Sequence, residues 1–257
     1  MKREAIAIIL AAGLGSRLKD TGHNSPKCLL TIDKEKKLIE IQLEILNKLG
    51  LHDVILVTGY KGEEIISVLG SQFGSISIQY VSNKNYASTG SAASLLSSFE
   101  KWQMLLGPVL LLHADILYDE EILTKFLGNI APQENCLLVD ANFKNLTNDE
   151  QIVLGEQDEV KDVVKGGKAL DNVAGESLGI NFWSKDFVHS YFIFLSKFLN
   201  RDKKVFNWEQ TIKPFLESDR SIMLLYKDIN GAKWVNVNYP SDLETAKQIY
   251  VRRGNGH

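Results

Sequence analysis

Residues 5–17 read AIAIILAAGLGSR, an apolar run that passes directly into a glycine-rich turn. The run Ala5–Leu10 is apolar at every position, which is typical of a parallel β-strand that helices cover on both faces. The small residues that follow allow backbone N–H groups to approach a bound phosphate closely. This stretch therefore predicts the first strand of an α/β sheet, with a ligand-binding turn at its carboxyl end.

The first half of the chain alternates strands with helices. Apolar, β-rich runs predict strands at Ala5–Leu10, Val54–Thr58, Ile76–Val81 and Val109–His113. Apolar residues at three- and four-residue spacing predict helices at Leu38–Leu49, Gly62–Leu69, Ser91–Phe99 and Glu120–Leu127. Because right-handed crossovers place such helices on both faces, we expect a doubly wound, mostly parallel sheet. Its ligand edge would contain the loops that follow Leu10 and Leu112.

The second half of the chain has a different pattern. Short strands with polar turns are predicted at Gln151–Leu154, Glu159–Lys165 and Leu178–Trp183. Helices are predicted from Lys185, from Trp208 and, at the end of the chain, from Ser241, with a pair of strands before the last of them. We expect a smaller, sheet-rich lobe that packs against the first half within a single domain.

The composition is that of an ordinary globular protein. The 257 residues are 44% hydrophobic and 24% charged, with basic and acidic residues mixed along the chain and a net charge of −3. No basic stripe is available for a phosphate backbone, so we do not expect nucleic acid as a partner. No apolar run approaches about 18 residues, so we expect no membrane span and a cytoplasmic location. The two cysteines are too far apart in sequence to predict a disulfide framework or a zinc site.

Two basic side chains follow the glycine-rich turn. Arg17 comes directly after Gly15 and Ser16, and Lys27 lies ten residues beyond the arginine. An arginine and a lysine supply the positive charge that a polyphosphate needs. The dinucleotide-binding fingerprint would need a third glycine at Leu18, and the Gly-Lys-Ser/Thr ending of the P-loop is missing too. An ordinary strand-to-helix turn remains the alternative for the glycines taken alone.

The full string, LAAGLGSR at 10–17 with PKCLL at 26–30, resembles the signature of the nucleoside-triphosphate transferase family. That family includes the sugar-1-phosphate nucleotidyltransferases and, closest to this chain, the phosphocholine and phosphonate cytidylyltransferases. Later stretches resemble further blocks of the family in the same order: VTGY at 57–60, HADILYD at 113–119, GESLGI at 175–180 and WVNVNYPSDL at 234–243. The resemblance implies a Rossmann-like nucleotidyltransferase core at about 1–135. Residues from about 136 to 257 would form the acceptor-binding lobe and the closing helix of the same domain.

The resemblance also implies roles for single residues. Backbone and small side chains of the turn and of a later loop would bind the nucleotide, at Leu10, Ala11, Ala12, Gly13, Gly15, Ser16, Thr89 and Gly90. Arg17 would hold the β- and γ-phosphates, and Lys27 would bridge the α-phosphate and the acceptor. Asp115 would bind Mg²⁺, with Asn238 as the second ligand. Asn236 and Asn238 stand where cytidylyltransferases usually carry acids, and an amide oxygen brings less charge to a metal.

Residues of the second half would contact the acceptor. Lys165 and Glu176 are the candidates, while a solvated turn lysine and a turn-fixing glutamate are their structural alternatives. An aromatic group at Phe182, Trp183 and Trp208 would suit a quaternary ammonium, although such residues are more often part of a core. His113 precedes Asp115 by two positions, and we expect it to be a core histidine satisfied by the backbone.

The reaction implied is magnesium-dependent transfer of CMP from CTP to a small phosphorylated or phosphonate acceptor, with release of pyrophosphate. A phosphate monoester is already ionised at neutral pH, so such a reaction needs cations and not a general base. Three alternatives remain: a sugar-1-phosphate uridylyl-, thymidylyl- or guanylyltransferase, a nucleotide-binding module without turnover, and an NAD-linked oxidoreductase. The stretch ASTGSA at 87–92 departs from the usual Thr-Asn-Asn block of the phosphocholine enzymes, so cytosine is only favoured over the other bases. The sequence also allows a homodimer.

Overall fold

The computed structural model describes residues 4–19, 24–34, 36–142, 150–166, 170–202 and 204–254. Within these residues the strands are β1 (Ile6–Ala11), β2 (Thr31–Asp33), β3 (Lys36–Lys37), β4 (Asp53–Thr58), β5 (Gln72–Phe73), β6 (Ile76–Ser82), β7 (Val109–His113), β8 (Ile116–Tyr118), β9 (Cys136–Asp140), β10 (Gln151–Glu156), β11 (Glu159–Lys165), β12 (Val173–Trp183), β13 (Leu225–Asp228) and β14 (Trp234–Asn236). The helices are α1 (Ser16–Lys19), α2 (Leu38–Lys48), α3 (Gly62–Leu69), α4 (Ser91–Ser97), α5 (Phe99–Leu105), α6 (Glu120–Gly128), α7 (Lys185–Arg201), α8 (Ile212–Ser218) and α9 (Pro240–Gly254). Two 3₁₀ turns, Lys27–Leu29 and Trp208–Thr211, complete the regular structure.

A ten-stranded sheet of order β10-β11-β13-β9-β12-β7-β1-β4-β6-β5 runs through the molecule. Strands β7, β1, β4 and β6 are parallel to one another, as the alternation of strands and helices predicts. The sheet is nevertheless mixed, because β12 pairs antiparallel with β7 on one side and β5 pairs antiparallel with β6 at the far edge. The α/β class is confirmed, whereas parallel pairing is limited to these four neighbouring strands and to the pair of β9 and β13.

The second half of the sheet closes on itself. Besides its pairing with β11, strand β10 pairs with β12, so β10, β11, β13, β9 and β12 form a closed ring of five strands. Strand β12 belongs to both parts, since Glu176 pairs with β10 and β9 while Ile180 pairs with β7. Between them the register shifts, and Gly179 takes a φ of +72°, a conformation that favours glycine. This bend connects the ring to the parallel strands.

Helices cover both faces of the sheet. One apolar core lies beneath α2, α3, α6 and α9, and a second lies beneath α4, α5, α7 and α8. Helix α2 shows why these segments are helical, because its buried residues recur on one face while Glu40 and Lys48 lie in its first and last turns. The second core contains three fully buried tryptophans, Trp102, Trp183 and Trp208, each worth on the order of 2–3 kcal/mol of apolar burial.

Most predicted elements are present, with shifted bounds. The helix predicted at Ser91–Phe99 ends at Ser97, and a second helix, α5, follows it. The helix predicted from Trp208 begins with a 3₁₀ turn, and the strand predicted from Leu178 starts earlier. Both cysteines are buried, and burial raises the pKa of each thiol to about 12, so neither is a reactive nucleophile. In the described part of the chain, no helix is long and apolar enough to cross a membrane.

Candidate active site

Lys27 lies between Asp115 and Asn238 at the carboxyl edge of the parallel strands. Its Nζ donates hydrogen bonds to Asp115 Oδ2 at 3.1 Å and to Asn238 Oδ1 at 2.6 Å. The side chains of the lysine and the aspartate are largely shielded from solvent, with exposed fractions of 17% and 28%. The structure thus brings the predicted catalytic lysine and both predicted metal ligands into direct contact, although 211 positions separate Lys27 from Asn238.

Local structure fixes each of the three side chains. Asp115 follows the end of β7, and its carbonyl accepts a hydrogen bond from Val237 N, which ties the loop to the segment after β14. Asn238 is held from the other side, because its backbone N–H donates to the Asp242 carboxylate in the first turn of α9. Gly15 leaves room for Lys27, since a Cβ at this glycine would lie 3.1 Å from Lys27 Cγ.

A buried glutamine braces the loop that carries Asp115. Gln42 of α2 donates from Nε2 to the carbonyls of His113 and Ile116, at 3.0 and 2.7 Å. Both carbonyls flank the aspartate, so the glutamine fixes the backbone on each side of it. The sequence places Gln42 in an amphipathic helix with no sign of this role, which depends on how α2 packs against β7.

The Asp115 and Asn238 oxygens converge on a single positive charge. A carboxylate and an amide oxygen are hard oxygen ligands of the kind that Mg²⁺ prefers. The described residues contain no cluster of three or more His, Cys, Asp or Glu side chains that could hold a metal. A magnesium ion here would therefore take two protein ligands and complete its shell with substrate phosphates or water, which is usual for this ion.

A cavity of about 310 Å³ lies above the glycine-rich turn. It is lined by Leu10, Ala12, Gly13, Leu14, Tyr86, Thr89, Gly90, Ser91, Ser94, His113, Asp115 and Asn207. Five predicted nucleotide-binding residues, Leu10, Ala12, Gly13, Thr89 and Gly90, are among them. Three others, Ala11, Gly15 and Ser16, do not line it, and Gly15 acts instead on the position of Lys27.

The loop before α4 forms one wall of this smaller cavity. Asn83 donates from Nδ2 to Thr89 Oγ1 at 3.0 Å and to Ser94 Oγ at 2.9 Å, which fixes both ends of the wall. Gly90 touches the chain before the second 3₁₀ turn so closely that a Cβ would lie 2.0 Å from Phe206 O. That contact brings Asn207 into the wall, a residue to which the sequence pattern assigns no role.

A larger cavity of about 910 Å³ opens on the other side of Asn238. It is lined by Arg17, Ser91, His113, Asp140, Asn142, Glu150, Gln151, Glu176, Ser177, Leu178, Gly179, Asn207, Glu209, Trp234, Val235, Asn236, Asn238, Tyr239 and Asp242. Glu176 lines this cavity, and its contact with an acceptor stays a prediction. Lys165 is exposed at the end of β11 and does not line the cavity, so its contact with an acceptor stays a prediction.

Arg17 lies at the mouth of the larger cavity and not in the smaller one. Its guanidinium is 5.6 Å from the centre of the Tyr239 ring, within the range of a cation–π contact. The side chain is exposed at the start of α1. The predicted contact with the β- and γ-phosphates stays a prediction.

His113 faces both cavities and is bound by side chains, contrary to the expected backbone contact. Its Nε2 accepts a hydrogen bond from Trp208 Nε1 at 2.9 Å, and Glu209 Oε1 lies 3.3 Å from the same nitrogen. Burial raises the pKa of Glu209, and the neighbouring His113 acts in the opposite direction. Trp183 and Trp208 are fully buried, and Phe182 is nearly so. These three aromatic residues therefore belong to the core, and they do not line either cavity.

A comparison with protein families shows to which family the chain belongs. Residues 7–158, more than half of the chain, match the MobA-like NTP transferase domain. The chain belongs to this family. The match begins in β1, and it contains the glycine-rich turn, Lys27 and Asp115.

Relatives extend the similarity to the whole chain. The chain is 26% identical to the choline-phosphate cytidylyltransferase of Streptococcus pneumoniae over 249 residues, which is 95% of this chain and 97% of that protein. It is 27% identical to the D-glycero-alpha-D-manno-heptose 1-phosphate guanylyltransferase of Aneurinibacillus thermoaerophilus over 242 residues, or 94% and 96%. The inositol-1-phosphate CTP transferase structure from T. maritima has the same fold, with a TM-score of 0.75 and 19% identity over 97% of this chain and 96% of that one.

These comparisons confirm the family resemblance that the motifs indicate. The chain is an enzyme of the nucleotidyltransferase class with a nucleotidyltransferase fold, and its relatives include cytidylyltransferases and sugar-phosphate nucleotidyltransferases. Transfer of a nucleotidyl group to a phosphorylated acceptor is the activity that these relatives share by name.

Proposed function

We propose that the protein transfers CMP from CTP to a small phosphorylated or phosphonate acceptor and releases pyrophosphate. One observation carries the proposal: Asp115 lines the smaller cavity, Asn238 lines the larger one, and Lys27 binds both. A lysine at the junction of two cavities can contact a phosphate in each of them. The nucleotide would lie in the smaller cavity, above the glycine-rich turn, and the acceptor in the larger one.

The chemistry needs an oxygen nucleophile and charge neutralisation. An oxygen of the acceptor phosphate or phosphonate attacks the α-phosphorus of CTP, the new P–O bond forms, and the bond to the β-phosphate oxygen breaks, so pyrophosphate leaves with the electron pair. The attacking oxygen is already ionised near neutral pH, and no side chain has to remove a proton from it. Lys27 would lower the repulsion between the two anionic reactants, and Arg17 would add charge from the side of the larger cavity.

Magnesium fits the residues at the junction. The Lys27 ammonium occupies the point on which two oxygen ligands converge, so the same oxygens suit a divalent cation. Asp115 and Asn238 would hold the ion, and when bound it supplies positive charge to the phosphate oxygens. Lys27 would then exchange these two partners for the phosphates.

Two observations bear on the identity of the donor. Similarity to the choline-phosphate cytidylyltransferase extends over nearly the whole chain and favours CTP. Similarity to the heptose 1-phosphate guanylyltransferase is just as extensive, which keeps a sugar-1-phosphate nucleotidyltransferase as the second candidate.

Pyrophosphate release in the presence of magnesium tests the proposal. CTP, UTP, GTP, ATP and dTTP would each be combined with phosphocholine, 2-aminoethylphosphonate, glycerol phosphate and hexose 1-phosphates. We expect CTP to react with an acceptor that is not a sugar 1-phosphate. Release from GTP, UTP or dTTP with a hexose phosphate would support the second candidate. Triphosphate binding without pyrophosphate release from any pair would favour a nucleotide-binding module.

A further inference from the structure

The larger cavity is strongly acidic away from Lys27. Among the described residues that line it, Arg17 carries the only fixed positive charge, whereas Asp140 and Glu176 lie together in the five-stranded ring. Glu176 of β12 pairs directly with Asp140 of β9 in the strand register. Carboxylates on neighbouring strands repel each other, so this end of the cavity is costly unless something offsets its charge.

The pKa of Glu176 reflects its burial first and then repulsion from nearby carboxylates. Burial, followed by the charges of Glu150 and Asp140, raises the pKa of the Glu176 carboxyl to about 7. Hydroxyl groups of a neutral sugar could accept or donate hydrogen bonds here, but they would not neutralise the negative charge. A positively charged group on a ligand would do so.

An aromatic ring and two buried oxygens complete this end of the cavity. Trp234 lines it, and its Nε1 donates to Asp140 Oδ2 at 3.0 Å, which orients the indole beside the carboxylates. Indole and carboxylates together are the groups that bind ammonium ions in proteins. Among the described residues, Asn236 Oδ1 and Gln151 Oε1 are buried without a hydrogen-bond partner, and both residues line the cavity. Both atoms are acceptors, so they suit a ligand that brings donors.

We propose that the acceptor carries a positively charged nitrogen, which binds at Asp140, Glu176 and Trp234 while the phosphate or phosphonate binds at Lys27. The charges of the cavity set this orientation, because the Asp140 and Glu176 carboxylates would repel the anionic end of the acceptor and Lys27 and Arg17 would attract it. The inference rests on the proposed function for its assignment of the larger cavity to the acceptor. It narrows the acceptors to the phosphates and phosphonates of amino alcohols and related amines.

Two matched pairs of ligands measure how much the positive charge contributes to binding. Phosphoethanolamine and propyl phosphate have nearly the same shape, as do phosphocholine and 3,3-dimethylbutyl phosphate, and each pair differs in the charged nitrogen. Calorimetry would measure each Kd with the full-length protein, magnesium and a CTP analogue that carries a methylene between the α- and β-phosphorus atoms. We expect the charged member of at least one pair to bind about tenfold or more tightly than its neutral partner.

Two variants test whether the carboxylates of the cavity cause the preference for the charged ligand. Asp140→Asn and Glu176→Gln keep the size of each side chain, and the amide oxygen introduced by the first can still accept from Trp234, so the fold should survive. Each should reduce the preference for the charged ligand severalfold and leave the affinity for the neutral partner nearly unchanged. Glu100→Gln, which removes an exposed carboxylate from α5, is the matched control and should change neither.

Binding and turnover together separate this inference from the proposed function. Equal affinity within both pairs, or a preference that survives both variants, would overturn the inference. Pyrophosphate release from CTP with hexose 1-phosphates or propyl phosphate, as efficient as with the charged acceptors, would also overturn it while the proposed function stands. Charge-selective binding with no pyrophosphate release from CTP would support the inference and reject the proposed function.

Discussion

Lys27 lies between two cavities, each lined by one of its hydrogen-bond partners, and its proposed contribution to the reaction is electrostatic. Its ammonium binds Asp115 and Asn238 directly, so it lies where the α-phosphate and the acceptor would meet. A charge at that position stabilises the transition state, in which negative charge is shared between the two reactants, more than it stabilises bound triphosphate.

Lys27→Ala should therefore lower kcat by about 10²–10³-fold while the Kd for CTP changes only severalfold. Steady-state kinetics and equilibrium binding of CTP would measure the two effects. Lys48→Ala is the control, because Lys48 is 63% exposed and pairs with Glu120 away from both cavities. A loss of CTP affinity as large as the loss of kcat would contradict the assigned role.

Asp115 is the second residue whose charge can be tested. Asp115→Ala removes the carboxylate proposed to hold magnesium, so activity and its dependence on magnesium concentration should disappear together. Magnesium titrations of pyrophosphate release would show this, and circular dichroism would show that the variant is folded. Residual activity that still rises with magnesium as in the wild type would move the metal site to other residues.

Glu176 links the acceptor preference to pH. Its pKa of about 7 means that the carboxyl becomes ionised as the pH rises through neutrality, with Asp140 and Glu150 as the charged groups that face it. An ionised Glu176 attracts a cation more strongly, so between about pH 6 and pH 8 the preference for phosphoethanolamine over propyl phosphate should rise severalfold relative to the same ratio in Glu176→Gln. The comparison with the variant is needed because the ammonium lowers the second pKa of the phosphate in phosphoethanolamine, so the two phosphates do not titrate together. Profiles of the ratio against pH that coincide for the wild type and the variant would contradict the prediction.

Strand β12 joins the parallel strands of the sheet to the closed ring of five strands. Gly179 bends it at a φ of +72°, and a Cβ there would lie 2.7 Å from the His113 ring. Gly179→Ala should therefore destabilise the protein by about 1–3 kcal/mol, through backbone strain and displacement of the histidine. Urea unfolding would measure this. Gly128→Ala in α6 is the control, since a Cβ at Gly128 meets nothing within 4 Å and should be neutral or stabilising.

The elements also show what the sequence could predict. The parallel strands and their helices follow from local periodicity, and β1, β4, β6 and β7 lie within one residue of the predicted bounds. Closure of the ring could not be predicted, because it needs β13 to pair with β9 and β11, which lie far from it in the sequence. Short-range patterns contain no information on such pairings.

The candidate site also contains some residues that the sequence predicts and others that it does not. Family blocks predict Lys27, Asp115 and Asn238, which the structure brings together. Gln42 and Trp234 act through partners that lie far away in the sequence. Nothing near Gln42 indicates a role, and the family block that begins at Trp234 does not reveal the partner of this residue. The aromatic residues expected to bind a cation, by contrast, have core positions because their strands and turns face the apolar cores.

The whole molecule raises the question of whether its two halves fold as one unit. The expected division near residue 135 falls just before β9, yet β12 pairs with β7 of the first half and with β9 and β10 of the second. The Lys27–Asn238 contact and the β8–β14 pair connect the halves again. Separate unfolding of either half would break these pairings and expose the apolar faces between them, so a single cooperative transition is expected.

Native-state hydrogen exchange tests this directly. In increasing urea, amides of β1 and β4 should come to exchange with the same free energy of opening as amides of β11 and β12, because both sets would open only by global unfolding. The Gly179→Ala variant sharpens the test, since it weakens the strand that joins the halves. If the halves form one unit, the variant should lower the opening free energies of both sets equally. A decrease confined to β11 and β12, with β1 and β4 unchanged, would instead mean that the ring unfolds by itself and that the chain contains two folding units.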